Sequence, residues 1–258
     1  MRKTTRMRMI GVAGAAVCAA IAAPSAGAAA EPVTASQAPG AQPAPVENLY
    51  NPGTLSYFSF VKRATVAHKQ PDLDSGEVGR LGLKTEDRTD ELVLVLERTL
   101  GPGGETWYHV RLPIRPVGST GWVPASALEK LEPVRTHLIV DTRRYRATLI
   151  KNGKAVFRAR VGVGQSRWPT PRAEGYMRNE LRGFGGKGSI YGPVAMGTSI
   201  KSEVLTDWPG GGVVGIHGTN RPEIIRRGRI SHGCVRMTNR NILKLARLVE
   251  VGTPLSIR

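Results

Sequence analysis

Three side chains near the end of the chain, His217, His232 and Cys234, are of types that do chemistry together. Each lies beside glycine, as His217-Gly218 and as His232-Gly233-Cys234. A thiol attacks as thiolate, and a nearby imidazole is the usual acceptor of its proton. Glycines let the backbone bend tightly and aim N–H groups at a reacting oxygen. The set is what acyl transfer through a thioester needs. His232 is nearer to Cys234 in sequence, but two residues is not a spacing that guarantees contact, so the residues alone leave the base open. The same three side chains are also a possible zinc set. Against that, no second cysteine in the mature chain and no close His-x₃-His pair accompanies them.

The elements that must position these groups can be read around them. Gly212-Val-Val-Gly-Ile-His217 is a short strand that delivers His217. Arg221-Pro222 marks a turn, Arg226-Arg227-Gly228-Arg229 is a basic spacer, and Ser231 to Val235 brings in the thiol. From Thr238 to Val249 the apolar residues Ile242, Leu243, Leu245, Ala246 and Val249 follow helical spacing, with Thr238 or Asn239 as the cap. Upstream, Thr136 to Asp141 reads as a strand on which His137 is structural. Two arms, 144–151 and 154–161, flank Asn152-Gly153, the strongest short hairpin signal. Tyr145, Ala147 and Leu149, then Ala155, Phe157, Ala159 and Val161, alternate with polar, mostly basic, residues, so one face is expected buried and the other wet and positive. A long Gly/Pro-rich region runs from Gly162 to about Gly212, the kind of ordered loop that walls or covers a site. Gly252 to Ile257 is a final strand.

Residues 49–132 show a different pattern: short apolar runs broken by Gly, Pro and Asp, including 79–83, 91–97 and 106–112. Close-spaced short strands indicate a small β-barrel or sandwich. Trp107 and Trp122 are expected in its core or against a neighbour, and His68 and His109 are read as incidental.

Residues 1–28 have the layout of a secretory signal: Arg2, Lys3, Arg6 and Arg8, an apolar run from Met9 to Ala23, then small residues. The run is shorter than the ~20 residues that span a bilayer comfortably, so no stable membrane span is expected once it is removed. Cys18 goes with it, which leaves Cys234 as a lone thiol in a compartment where paired cysteines tend to oxidise. Residues 29–48 are Ala/Pro-rich linker. The formal charge is +17; without the four leader cations it is +13. That favours polyanionic surroundings. Nothing in the chain has the basic helix or aromatic-basic interleaving that reads bases, so for an exported chain anionic cell-wall polymers or lipid head groups, not nucleic acid, are the expected counter-surface.

The run Ile-His-Gly-Thr from Ile216, a basic spacer, and Ser-His-Gly-Cys-Val-Arg-Met from Ser231 resemble the signature of the L,D-transpeptidases, whose catalytic domain is of the YkuD type. Pro169-Thr-Pro-Arg-Ala-Glu-Gly175 resembles that family's Thr-Pro-Thr-Gly element, with a departure at Arg172, and Tyr191 to Met196 resembles its stretch ahead of the catalytic loop. Residues 107–111 and 121–128 resemble a bacterial SH3-like domain. The implied fold is mainly β: a small SH3-like β-barrel at 49–132, then a β-rich YkuD-type domain at 134–258 with one clear helix near its end. The resemblance assigns Cys234 as nucleophile, His217 as base, the Gly218 carbonyl as the base's orienter, and the N–H groups of Gly233 and Cys234 as oxyanion hole with His232 shaping the loop. It implies peptidoglycan stem peptides as substrate, cut after the third residue with loss of D-alanine and rejoined as 3→3 cross-links. Arg236, Asn220 and Tyr191 are expected substrate contacts, and no cofactor is implied. Hydrolysis of the same thioester, as in an L,D-carboxypeptidase, and a non-catalytic wall-binding role remain alternatives.

Overall fold

Asn152 and Gly153 both adopt left-handed backbone, with φ of 50° and 74°, the geometry a two-residue hairpin turn requires. Around that hairpin the computed structural model describes residues 44–207 and 210–258. The expected leader, 1–28, and most of the expected linker, 29–48, lie outside the described residues.

Two large sheets make up the molecule. The first contains β1 (Glu47–Asn48), β2 (Tyr50–Asn51), β3 (Leu55–Phe60), β4 (Thr65–His68), β5 (Glu77–Leu81), β6 (Leu92–Leu100), β7 (Thr106–Arg111), β8 (Thr120–Pro124) and β9 (Glu132–Val134). Its order is β2-β3-β6-β7-β8-β4-β5, with β1 on β6 and β9 on β3. β1 therefore falls inside the stretch read as linker. Val93, Val95, Val110 and Val123 point inward and are fully buried. Trp107 is in the core as expected. Trp122 is half-buried and stacks on His109, with ring centroids 4.8 Å apart. His109 also meets Glu97 Oε2 through Nδ1 at 2.7 Å, so it is a cross-strand partner and not incidental.

The second sheet contains β10 (Thr136–Asp141), β11 (Arg146–Lys151) and β12 (Lys154–Arg160), followed by β14 (Glu174–Arg182), β15 (Val194–Lys201), β16 (Val213–His217), β18 (Val235–Arg236) and β19 (Pro254–Ile257). The short strands β13 (Val163–Gly164) and β17 (Arg229–Ser231) pair separately. The sheet order is β12-β11-β10-β19-β14-β15-β16-β18, parallel only at β10–β19 and β16–β18. The expected alternation holds at Ala147, Leu149, Phe157 and Ala159, which are buried. Ala155 is exposed instead, because the register slips between Leu149 and Ile150. Helix α1 (Asn239–Ala246) is capped by Thr238, which accepts from Asn241 N–H, and buries Ile242, Leu245 and Ala246 against the sheet.

Only Arg135 separates β9 from β10. Val134, expected to open the second domain, pairs with Ser56 in the first sheet. The two sheets are also joined through side chains. Tyr176 of β14 is fully buried among Phe58, Leu92, Leu94 and Val134, and its hydroxyl donates to Leu92 O at 3.0 Å. Arg178, also on β14, donates through Nε to Glu91 Oε1 at 2.7 Å and through Nη1 to Glu86 Oε2 at 2.6 Å, while Nη2 also contacts Glu91. Lys201 completes the group on Glu86 at 2.8 Å. Glu91 and Arg178 are both nearly inaccessible to solvent, so breaking the pair strands a buried charge. Arg178→Ala should destabilise the fold by about 3–5 kcal/mol. Arg80→Ala, at the exposed pair with Glu77, should cost no more than about 1 kcal/mol. Urea unfolding of the two variants checks this, and equal losses would contradict it.

Candidate active site

The parallel pairing of β16 with β18 sets Ile216 opposite Val235 and His217 opposite Arg236. One step back, Gly215 lies level with Cys234. Side chains alternate along a strand, and paired residues share a face. His217, Cys234 and Arg236 therefore project from one side of the sheet, with Gly215 between them. A Cβ on Gly215 would sit 3.8 Å from Cys234 Sγ and 3.9 Å from His217 Cδ2. The missing side chain is the space that sulfur and imidazole share. The Gly215 N–H donates to Sγ at 3.4 Å.

His217 is buried, and its Nδ1 lies 2.7 Å from the Gly218 carbonyl oxygen. A carbonyl only accepts, so Nδ1 carries the proton and Nε2 is left as a base. Burial pushes the imidazole down to about 4, with the Gly218 bond opposing and the Arg236 charge adding. His217 is thus neutral at pH 7. Burial likewise raises the Cys234 thiol, against the Gly215 N–H and Arg236. Both shifts favour the neutral forms, thiol and imidazole.

The loop carrying Cys234 is braced from within. Ser231 Oγ donates to Cys234 O at 2.5 Å and accepts from Gly233 N–H at 3.2 Å. Thr170 Oγ1 donates to Gly233 O and accepts from Gly164 N–H, both at 2.8 Å. The Gly233 N–H expected in the oxyanion hole is therefore engaged by Ser231, because Gly233, at φ 113°, turns that donor back into its own loop. His232 is exposed at the cavity mouth, and its ring lies against Trp168 with centroids 4.3 Å apart. Among the described residues, no three His, Cys, Asp or Glu side chains gather as a metal-binding group.

The L,D-transpeptidase catalytic domain (YkuD) matches residues 135–257, the second sheet and its helix. The YkuD proteins of Bacillus subtilis and Bacillus licheniformis, both named as candidate L,D-transpeptidases, are similar to this chain. The first is 31% identical over 121 residues, 47% of this chain and 65% of that protein. The second is 32% identical over 126 residues, 45% of this chain and 67% of that protein. The chain belongs to the L,D-transpeptidase family. It spans 65% of the length of the B. subtilis relative. Among solved structures, an L,D-transpeptidase from Mycobacterium smegmatis has 12% identity and a TM-score of 0.40 over 78% of this chain and 99% of that one.

Within this L,D-transpeptidase domain the other expected contacts divide. Arg236 lines a cavity of about 180 Å³ together with Cys234 and His217, and its buried Nε has no partner among the described residues. Tyr191 lines the same cavity, its ring edge-on to His217 at 5.0 Å. Burial raises the Tyr191 phenol, with Cys234 adding to the effect. Asn220 does not reach the thiol cavities. It is exposed, and its Nδ2 donates to Gly188 O at 3.2 Å, pinning the glycine-rich loop 183–192 from the far side. Three residues went unread in the sequence. Gly215 had a signal, since glycine inside a strand marks close approach. Thr170 lay in the Pro169-Thr-Pro element but was obscured by the departure at Arg172, and Ser231 acts only through the loop's own fold.

Alkylation of Cys234 by iodoacetamide should rise with pH and reach its midpoint above 9.0, the ordinary thiol value. A rate plateau already present at pH 6 would instead reveal a preformed ion pair. Thr170→Val should lose about 1–3 kcal/mol, since it leaves a buried N–H and carbonyl unpaired, while Thr170→Ser should recover most of that in thermal unfolding.

Proposed function

We propose that the chain is an exported peptidoglycan L,D-transpeptidase that forms 3→3 cross-links through a thioester on Cys234. The observation that carries this reading is the shared face of Cys234 and His217, with Nδ1 of the base locked by Gly218 and Nε2 left to accept. As the sulfur bonds to the donor carbonyl, its proton passes to His217 Nε2. The same proton then goes to the departing D-alanine amine as the amide bond breaks. A second stem's side-chain amine attacks the thioester, and the thiol is restored. With Gly233 N–H engaged, the Cys234 N–H, which donates to no described atom, is the backbone donor for the developing oxyanion. Arg236, charged and unpartnered at Nε, suits a stem carboxylate.

Export is supported by the basic start followed by a short apolar run, and by the family's place in wall chemistry. No described helix is long and apolar enough to cross a membrane. The excess of basic residues suits anionic wall polymers.

Turnover is measured with a tetrapeptide stem as donor and a tripeptide stem as acceptor, by mass analysis of products. Cys234→Ser should lose activity by on the order of a thousandfold or more with the fold intact. His217→Ala should lose far more than His68→Ala. Full activity in Cys234→Ser would end the cysteine reading, and equal losses in the two histidine variants would mean the base is elsewhere.

A further inference from the structure

The thiol opens onto a second cavity, of about 160 Å³, which shares Tyr191, Val213, His217 and Cys234 with the first. Cys234, His217 and Gly215 line it, with Phe184 and Met196 as apolar wall. Its one formally charged group among the described lining residues is Asp87, which comes from the first sheet and not from the catalytic domain. The first cavity's permanent charge is Arg236. The two approaches to the sulfur thus carry opposite signs.

Asp87 is presented by a built turn between β5 and β6. Thr85 and Thr89 clasp it, with Thr85 N–H donating to Thr89 O at 2.9 Å and their hydroxyls 2.8 Å apart. Arg88 takes φ 64°, a left-handed conformation that costs a non-glycine residue energy. Across the junction, Asn179 Nδ2 donates to Asp87 Oδ2 at 3.0 Å, and Asn179 Oδ1 is itself fixed by Gly197 N–H at 2.8 Å. Asp87 forms no ion pair among the described residues, whereas its neighbour Glu86 is taken by Arg178 and Lys201. A carboxylate held this way, unneutralised in a strongly basic chain, suits a cation.

We propose that Asp87 docks the cationic side-chain amine of the acceptor stem, so that the first sheet supplies the acceptor specificity of the catalytic domain. The inference rests on the acyl-transfer reading above. The amine that attacks the thioester is the acceptor's and reaches the site as an ammonium, which suits Asp87, while Arg236 suits the carboxylates that stems carry. In the transfer step the docked ammonium gives one proton to solvent. Its nitrogen then forms the new C–N bond as the C–S bond breaks. A second nitrogen proton passes through His217 Nε2 to the departing sulfur, leaving amide, thiol and one released proton.

The test uses the full chain, acylated by a tetrapeptide donor, and offers two nucleophiles. One is a tripeptide stem whose side-chain amine is protonated at pH 7; the other is hydroxylamine, which is neutral there. Asp87→Asn keeps an acceptor for Asn179 and removes only the charge. The rate ratio of tripeptide to hydroxylamine should fall about fivefold in Asp87→Asn, and the parent's preference should itself weaken in high salt. Asp90→Asn, on the same turn but outside the cavity and paired with Lys84, should keep the parent ratio. An unchanged ratio in Asp87→Asn, or an equal fall in Asp90→Asn, overturns the assignment. Intact mass of the parent shows separately whether acyl-enzyme forms, and its absence would overturn the acyl-transfer reading and this assignment with it.

Discussion

Two residue pairs between β16 and β18, Ile216 with Val235 and His217 with Arg236, hold the site together. The chain leaves β16 at His217 and returns parallel to it as β18, in a register that puts sulfur and imidazole on one face. A slip of one residue would send Cys234 through to the other side of the sheet. The register is fixed from both flanks. Gly162 and Arg236 exchange two backbone hydrogen bonds of 2.8 Å, and Met237 N–H returns to His217 O at 2.8 Å. Beneath them Val235 and Met237 are fully buried in the core, so the register also rests on burying two large apolar side chains.

From that constraint the electrostatics follow. Pulling His217 and Cys234 into the sheet's edge removes water from both, and desolvation disfavours each charged form. Both shifts favour the neutral forms of the two groups. The permanent charges lie in the two cavities that meet at the thiol, Arg236 in one and Asp87 in the other. The buried pair of Arg178 and Glu91, extended to the exposed Glu86, ties the Asp87 turn to the catalytic sheet. Through it the first sheet becomes part of the active-site wall.

What the sequence revealed was local. The Asn152-Gly153 turn and the periodicity of α1 with its Thr238 cap lie within a few residues of their own signals, whereas the roles expected of His217 and Gly218 came from the family resemblance. Contacts between distant segments were not legible. Thr170 meets Gly233 across 63 residues and Arg178 meets Glu91 across 87, and no local pattern encodes either. Asn220, an expected substrate contact under the resemblance, instead donates to Gly188 O, 32 residues away, a contact that no local pattern encodes. Ala155 misled because a register slip is invisible to strict alternation.

The central claim is that Cys234 carries the acyl group, and intact-protein mass spectrometry during turnover of a tetrapeptide stem tests it most directly. The account predicts a single adduct equal to the tripeptide acyl group, present in the parent, absent in Cys234→Ala, and discharged when an acceptor amine is added. Turnover without that adduct in rapidly quenched parent protein, or an adduct that survives in Cys234→Ala, would contradict it.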